Sequence, residues 1–221
     1  MKPGGDRVIE FFYDFISPNV YLAWTQLGSL AERYAYRIQP VAVLFAGFLK
    51  QYGQLGPAEV SPKWAWMVRN NLRKAAQLGV PLNPPRHHPF NPLLALRVAC
   101  VSGLDEHRLI DHVLRAVWVD GLHVSDADVL KRVLDGAGFD GARLIDQAGS
   151  PAVKETLRRH TADGLSRGVF GVPTMCVGDE LFGGYDDFYF LEQALAGHDL
   201  LDPDRVHDWM RSVNPSAIRL R

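Results

Sequence analysis

Ser17 and Pro173 are the residues through which this chain has a route to chemistry. Ser17 stands in Ser17-Pro18-Asn19-Val20, directly after an apolar, β-rich string, Val8-Ile9-Glu10-Phe11-Phe12-Tyr13-Asp14-Phe15. Behind it, apolar residues recur at 20, 23, 24, 27, 30, 31 and 34, which is helical spacing. Ser is a good N-cap and Pro a good first helical residue. A hydroxyl is therefore expected at a strand-to-helix junction, where unsatisfied N–H groups and the helix dipole favour an anion. Two readings stand side by side: a helix cap and nothing more, or a hydrogen-bond donor to an anionic ligand. A serine cannot exchange disulfides, and no neighbouring His or Lys in the sequence marks it as an activated nucleophile. Pro173 lies in Gly171-Val172-Pro173-Thr174, just before a short apolar strand. In isolation that is an ordinary turn.

The elements that must position these residues are legible in outline. After the first helix, Tyr36 to Phe45 reads as a strand, with Pro40 weakening its start or confining it to an edge. From Ala46 the pattern changes, and Gly53-Gln54-Leu55-Gly56-Pro57 reads as a loop. Helical patterns follow at about 62–78, 92–102, 105–120, 126–135 and 150–167. Gly79, Asn91-Pro92, Asp126 and Gly136 punctuate them. Thr174 to Val177 and Glu180 to Phe182 flank Gly178-Asp179, a hairpin signal, and a helix is expected from Asp187 to Ala196. Two strand-rich ends thus enclose about a hundred residues that are nearly all helical.

Composition narrows the class. The chain has 221 residues, 47% of them hydrophobic, and 24 basic against 25 acidic side chains. That balance gives no support for a nucleic-acid or anionic-membrane surface, and neither partner is expected. No apolar run reaches membrane-spanning length. Met1 to Asp6 is polar and short, unlike a signal peptide. The two cysteines, Cys100 and Cys176, form no C-x-x-C and lie in apolar runs, so both are expected to be buried small hydrophobes. A reducing, cytoplasmic setting follows as the default. Arg86-His87-His88-Pro89-Phe90-Asn91-Pro92 places two histidines side by side, which rarely serve one metal, so no metal is expected. Trp64, Trp66, Met67 and Trp118 sit at helical spacing and are expected to pack in a core.

The opening Phe12-Tyr13-Asp14-Phe15-Ile16-Ser17-Pro18, then Tyr21-Leu22-Ala23, resembles the DsbA-like thioredoxin superfamily. The branch it resembles is that of the 2-hydroxychromene-2-carboxylate isomerases and kappa-class glutathione transferases. Gly168 to Met175, followed by Gly178-Asp179-Glu180-Leu181-Phe182, resembles that branch's C-terminal signature. The resemblance implies an α/β fold: a thioredoxin-like domain built from residues 1–46 and 168–221, interrupted by an all-helical domain at 47–167. It implies that Ser17 replaces the redox cysteine, that the Val172-Pro173 bond is cis, and that the chain forms a homodimer.

It further implies glutathione as cofactor. Ser17 would donate a hydrogen bond to the glutathione thiolate and, with the helix N-terminus, lower its pKa from about 8.5. Val172 would pair its backbone with the extended peptide beside Pro173. Gly183, Gly184, Tyr185 and Asp186 would hold the γ-glutamyl end, helix N–H groups taking its carboxylate and the Asp side chain its ammonium. The branch pattern has Trp, Asn or Ser, and Arg where this chain has Gly183, Tyr185 and Asp187. Lys50 and Gln54 lie where the isomerases meet a substrate carboxylate, with Lys63 a further cation, and Glu59-Val60 replaces an Asn-Arg pair. His88, Phe90 and Asn91 would line the pocket. The implied activity is a glutathione-dependent cis-trans isomerisation of an aromatic-pyruvate-like carboxylate. A kappa-like transferase and a non-catalytic binding module are the alternatives.

Overall fold

The computed structural model describes residues 7–213. The Met1–Asp6 segment, and the outermost parts of the expected 1–46 and 168–221 segments, lie outside the described residues.

β1 (Val8–Tyr13) leads into α1 (Pro18–Arg33), which returns to β2 (Arg37–Ala42). β2 pairs with β1 in parallel, with Phe11 opposite Pro40. A parallel pair of this kind needs a crossover connection, and α1 supplies it. β3 (Thr174–Val177) lies antiparallel to β1, and β4 (Glu180–Gly183) antiparallel to β3 across the two-residue Gly178-Asp179 turn. The sheet order is β2-β1-β3-β4. β2 is thus an edge strand, which is how Pro40 is tolerated in it.

Between β2 and β3 come α2 (Phe45–Tyr52), α3 (Ser61–Leu78), α4 (Leu93–Ala99), α5 (Glu106–Trp118), α6 (Ala127–Gly136), α7 (Gly141–Ala148) and α8 (Pro151–Ser166). A 3-10 turn at Pro57–Glu59 precedes α3, and another at Tyr185–Asp187 precedes α9 (Phe188–Leu195). α10 (Pro203–Ser212) closes the described chain.

Alternation along β1 divides the core. Ile9, Phe11 and Tyr13 face α1 and the inserted helices, and belong to one large cluster that runs from the sheet through Leu96, Leu109, Trp118 and Leu144. Phe12 points the other way, onto Val43, Phe48, Val169 and Cys176. α8 covers that second face, and Gly164 is what lets it approach. A Cβ there would lie 3.2 Å from Phe48 and 3.4 Å from Phe12.

The strand expected to run to Phe45 stops at Ala42, and a helix the sequence did not announce begins at Phe45. No local residue caps α2. Instead the Asp14 carboxylate accepts the Phe45 N–H at 2.9 Å, and Thr161 Oγ1 accepts the Leu44 N–H at 3.0 Å. α7 and α10 are also additional to the expected elements. Each has a local start, Asp140 for α7 and Asp202 with Pro203 for α10. Trp118 is buried as expected, whereas Trp66 is 59% exposed and lies outside the core, because it faces away from α1 on α3. None of the described helices is long and apolar enough to cross a membrane.

Candidate functional site

The loop from Asp14 to Ser17 is pinned from every side. Asp14, only 1% exposed, accepts the Ile16 N–H at 3.1 Å as well as that of Phe45. The Trp118 indole donates to the Phe15 carbonyl at 3.0 Å. His88 Nε2 lies 2.9 Å from the Ile16 carbonyl, and the Ser17 N–H donates to the Asp14 carbonyl at 3.2 Å. Three groups far apart in sequence, on Phe45, His88 and Trp118, thus join the loop's own bonds in holding it in place just before Ser17. Burial pushes the Asp14 carboxyl up to about 7, against the lowering pull of its two backbone donors. Burial lowers the His88 pKa, partly offset by Ile16. A neutral ring bonded through Nε2–H leaves Nδ1 as a bare buried acceptor, and that atom has no partner. The ring stacks on Trp64 and meets Phe90 and Trp118 edge-on.

Ser17 occupies the N-cap position of α1, yet its side chain makes no cap hydrogen bond. Its hydroxyl donates to the Val172 carbonyl at 3.3 Å instead. The helix start and the Val172-Pro173 turn therefore meet, and that peptide bond is cis, as the resemblance implied. A second cis bond, His88-Pro89, was not expected. Among the described residues, no group accepts the backbone N–H of Asn19 or of Val172. Two unpartnered amides, of Asn19 and Val172, and a hydroxyl whose one proton is on the Val172 carbonyl thus belong to residues that line one cavity.

The Gly183 to Asp186 segment is joined to the same place. The Gly184 N–H donates to the Pro173 carbonyl at 2.8 Å, and the Gly183 N–H donates to Asp187 Oδ2 at 2.7 Å. A Cβ at Gly183 would lie 3.4 Å from the Phe170 ring, which fills the neighbouring space. The residue the sequence reading missed is Lys74. Its Nζ donates to Asn19 Oδ1 at 3.1 Å and to Asp186 at 2.9 and 3.0 Å, and it sits 5.6 Å from the Tyr185 ring centre. Its side chain is 10% exposed, against 66% for Asp186. On α3 it reads as one more helix-face lysine, and its one local signal is the apolar Ala75-Ala76 beside it. Asp186 is thus already paired with a cation from the inserted helices.

Beside Ser17 opens a cavity of about 530 Å3. Ile16, Leu44, Phe45, Leu49, Met67 and Leu93 make much of its wall. Among the described residues its ionisable lining groups are Asp14, Glu59 and His88, with no lysine or arginine. Of the residues expected to meet substrate, His88, Phe90 and Asn91 line it. Asn91 also accepts the Leu93 N–H at 3.0 Å, at the start of α4. Lys50 on α2, Gln54 in the loop after it and Lys63 at the start of α3 are exposed and do not line the cavity. Cys176 is buried and Cys100 half-buried. Burial pushes their thiols up to about 11 and about 12. Neither belongs to the cavity wall. Among the described residues, no three His, Cys, Asp or Glu side chains are grouped to hold a metal.

A mixed sheet interrupted by helices, with a helix N-terminus facing a cis-proline turn, defines a thioredoxin-like protein of the DsbA type. The chain matches the DSBA-like thioredoxin domain over residues 8–196 and belongs to that family. Within the family it falls in the branch of the 2-hydroxychromene-2-carboxylate isomerases and kappa-class glutathione transferases. It is 31% identical to a 2-hydroxychromene-2-carboxylate isomerase of Sphingobium xenophagum, over 86% of this chain and 98% of that one. It is 23% identical to glutathione S-transferase kappa 1 of Rattus norvegicus, over 76% and 80% of the two chains. The solved structure of a 2-hydroxychromene-2-carboxylate isomerase superposes with a TM-score of 0.80 at 27% identity, covering 92% of this chain and 98% of the other.

Proposed function

We propose that this chain is a glutathione-dependent cis-trans isomerase of the 2-hydroxychromene-2-carboxylate isomerase type, acting on an aromatic carboxylate with a pyruvate-like side chain. The observation that supports it most is the placement of the Ser17 hydroxyl. It stands at the first turn of α1, against Val172, on the wall of a large apolar cavity. A DsbA-like protein with serine there has no thiol of its own for exchange, and its two cysteines are held protonated by burial.

The residues present fit glutathione. Ser17 Oγ and the Asn19 N–H are donors for a thiolate, and the Val172 N–H is a donor for an extended peptide. Pro173 leaves that edge unobstructed, since it has no N–H. Gly183, Gly184, Tyr185 and Asp186 would take the γ-glutamyl end, with Lys74 fixing where Asp186 stands. When bound, glutathione supplies a thiolate able to add reversibly to a conjugated carbon. The chain's own residues then have three tasks. Ser17 and the α1 N-terminus hold the sulfur as its anion. The pinned Asp14–Ser17 loop keeps that donor in one position. The apolar wall from Ile16 to Leu93 orients an aromatic ring and excludes water. Asp14, with its pKa near 7, carries only part of a negative charge at neutral pH, so it opposes the thiolate less than an ordinary carboxylate would.

The likeness to the rat kappa transferase favours one second reading, in which the same donors serve a thiolate that stays attached to its electrophile. Free thiol titrated before and after many turnovers of an aromatic-pyruvate substrate decides. Constant thiol with a product of unchanged mass supports the isomerase. Stoichiometric loss assigns the transferase, and turnover without added thiol overturns both. The proposal carries with it a cytoplasmic setting and a homodimer, the latter tested by sedimentation.

A further inference from the structure

A carboxylate-bearing substrate needs a cation, and among the described residues the cavity beside Ser17 has none in its wall. Glu59, with the partly ionised Asp14, makes that wall a poor host for a second anion. The cations lie next door. A groove of about 310 Å3 runs between α4 and α8, and Arg97, Lys154 and Arg158 line it over a floor that includes Leu157 and Leu165. Leu44 and Leu93 line both the groove and the cavity, so these two side chains are their common wall. Leu44 is tied to α8 through Thr161. Arg158 is committed to Glu155. Among the described residues, the side chains of Arg97 and Lys154 make no ion pair or hydrogen bond, although Arg97 is half-buried. An unpaired, half-buried arginine beside apolar side chains suits an amphipathic anion. Arg97 follows Leu93 by one helical turn on the same face of α4, a rise of about 6 Å.

We propose that Arg97 and Lys154 are the carboxylate-binding residues of this site, receiving the acid group of an aromatic substrate whose rings lie against Leu44 and Leu93. The inference rests on the isomerase reading for the identity of the substrate, but not for the existence of the groove. It moves the acid group away from Lys50 and Gln54, which are exposed and line neither the cavity nor the groove.

The test compares naphthalene-2-carboxylate with its neutral amide, by calorimetry, on the wild-type protein and on Arg97→Gln, Lys154→Gln, the double variant and Lys50→Gln. One charge-assisted contact corresponds to about ten- to a hundredfold in affinity. The wild type should prefer the acid by that factor. Arg97→Gln should lose most of the preference, the double variant should bind acid and amide alike, and Arg97→Lys should recover part of it. Thermal unfolding of each variant separates a lost contact from a lost fold. No preference in the wild type, or a preference that survives the double variant and disappears in Lys50→Gln, overturns the proposal. The readout is binding, so the two readings fail separately. Acid preference without glutathione-dependent turnover leaves the groove and removes the isomerase. Turnover with an unchanged acid preference in the double variant does the reverse.

Discussion

Ser17→Ala separates a helix cap from a thiolate donor, because the structure assigns the two roles different sizes. As a cap, Ser17 does little: its hydroxyl makes no bond to the first turn of α1. The one bond it makes, to Val172 at 3.3 Å, is long for O–H to O. Its removal should cost less than about 1 kcal/mol, because the group it leaves without this bond is only the part-buried Val172 carbonyl, a weakly held acceptor. As a donor to a thiolate the same hydroxyl is worth about 1.5–3 kcal/mol, since the acceptor is charged. That is about one to two pKa units on the bound thiol and about ten- to a hundredfold in turnover. The assay is the ultraviolet absorbance of the thiolate, titrated with glutathione saturating. The wild type should show a pKa below the free value of about 8.5, and Ser17→Ala should move it back up by about one to two units. Ser17→Thr, which keeps the hydroxyl, should recover part of the shift. An unchanged thiol pKa in a folded Ser17→Ala protein refutes the donor role. So does an activity loss that merely follows a fall in melting temperature.

Asp14→Asn should flatten part of the pH dependence of stability. The Asp14 carboxyl titrates near 7 when folded and near 3.8 when unfolded, so between those values the folded state binds the extra proton and stability falls as pH rises. Urea unfolding of the wild type minus Asp14→Asn should slope downward across that window, by up to about 4 kcal/mol in total. A flat difference would mean that the carboxyl ionises normally. Lys74→Met should weaken glutathione binding several-fold, because Asp186 and Asn19 lose their common tether, while Lys74→Arg should bind nearly as the wild type does; calorimetry giving equal affinities for all three proteins removes Lys74 from the site. With thiols pushed up to about 12 and about 11, Cys100 and Cys176 should react with a thiol reagent at pH 8 only after denaturation, and Cys100→Ala/Cys176→Ala should keep its turnover. Activity that vanishes with the cysteines would show that Ser17 does not stand in for a protein thiol.

The hairpin at Gly178-Asp179, the edge position of Pro40 and the opening of α1 at Ser17-Pro18 were all legible because each rests on neighbours in the chain. Turn chemistry, a missing N–H and a preset backbone angle act within a few residues. The likeness of the Asp14–Pro18 and Gly171–Thr174 segments to one family added their meeting across the fold. The five expected inserted helices were legible for the same local reason, from apolar spacing and from caps such as Asp126.

Other features belong to the tertiary structure alone. α2 has no cap of its own and starts where Asp14 and Thr161, 31 and 117 residues away, accept the Phe45 and Leu44 N–H groups. His88 was expected in the pocket wall and is there, but its grip on the Ile16 carbonyl, 72 residues back, has no sequence signature. Lys74 is the clearest case. In sequence it is one more helix-face lysine, and only tertiary packing buries it between Asn19, 55 residues back, and Asp186, 112 residues ahead. Lys50, singled out by resemblance, lies exposed on α2. Local propensity sets which residues can start a helix or close a turn. Which cation is desolvated depends on what is packed around it, and that is decided by contacts between residues as far as a hundred positions apart.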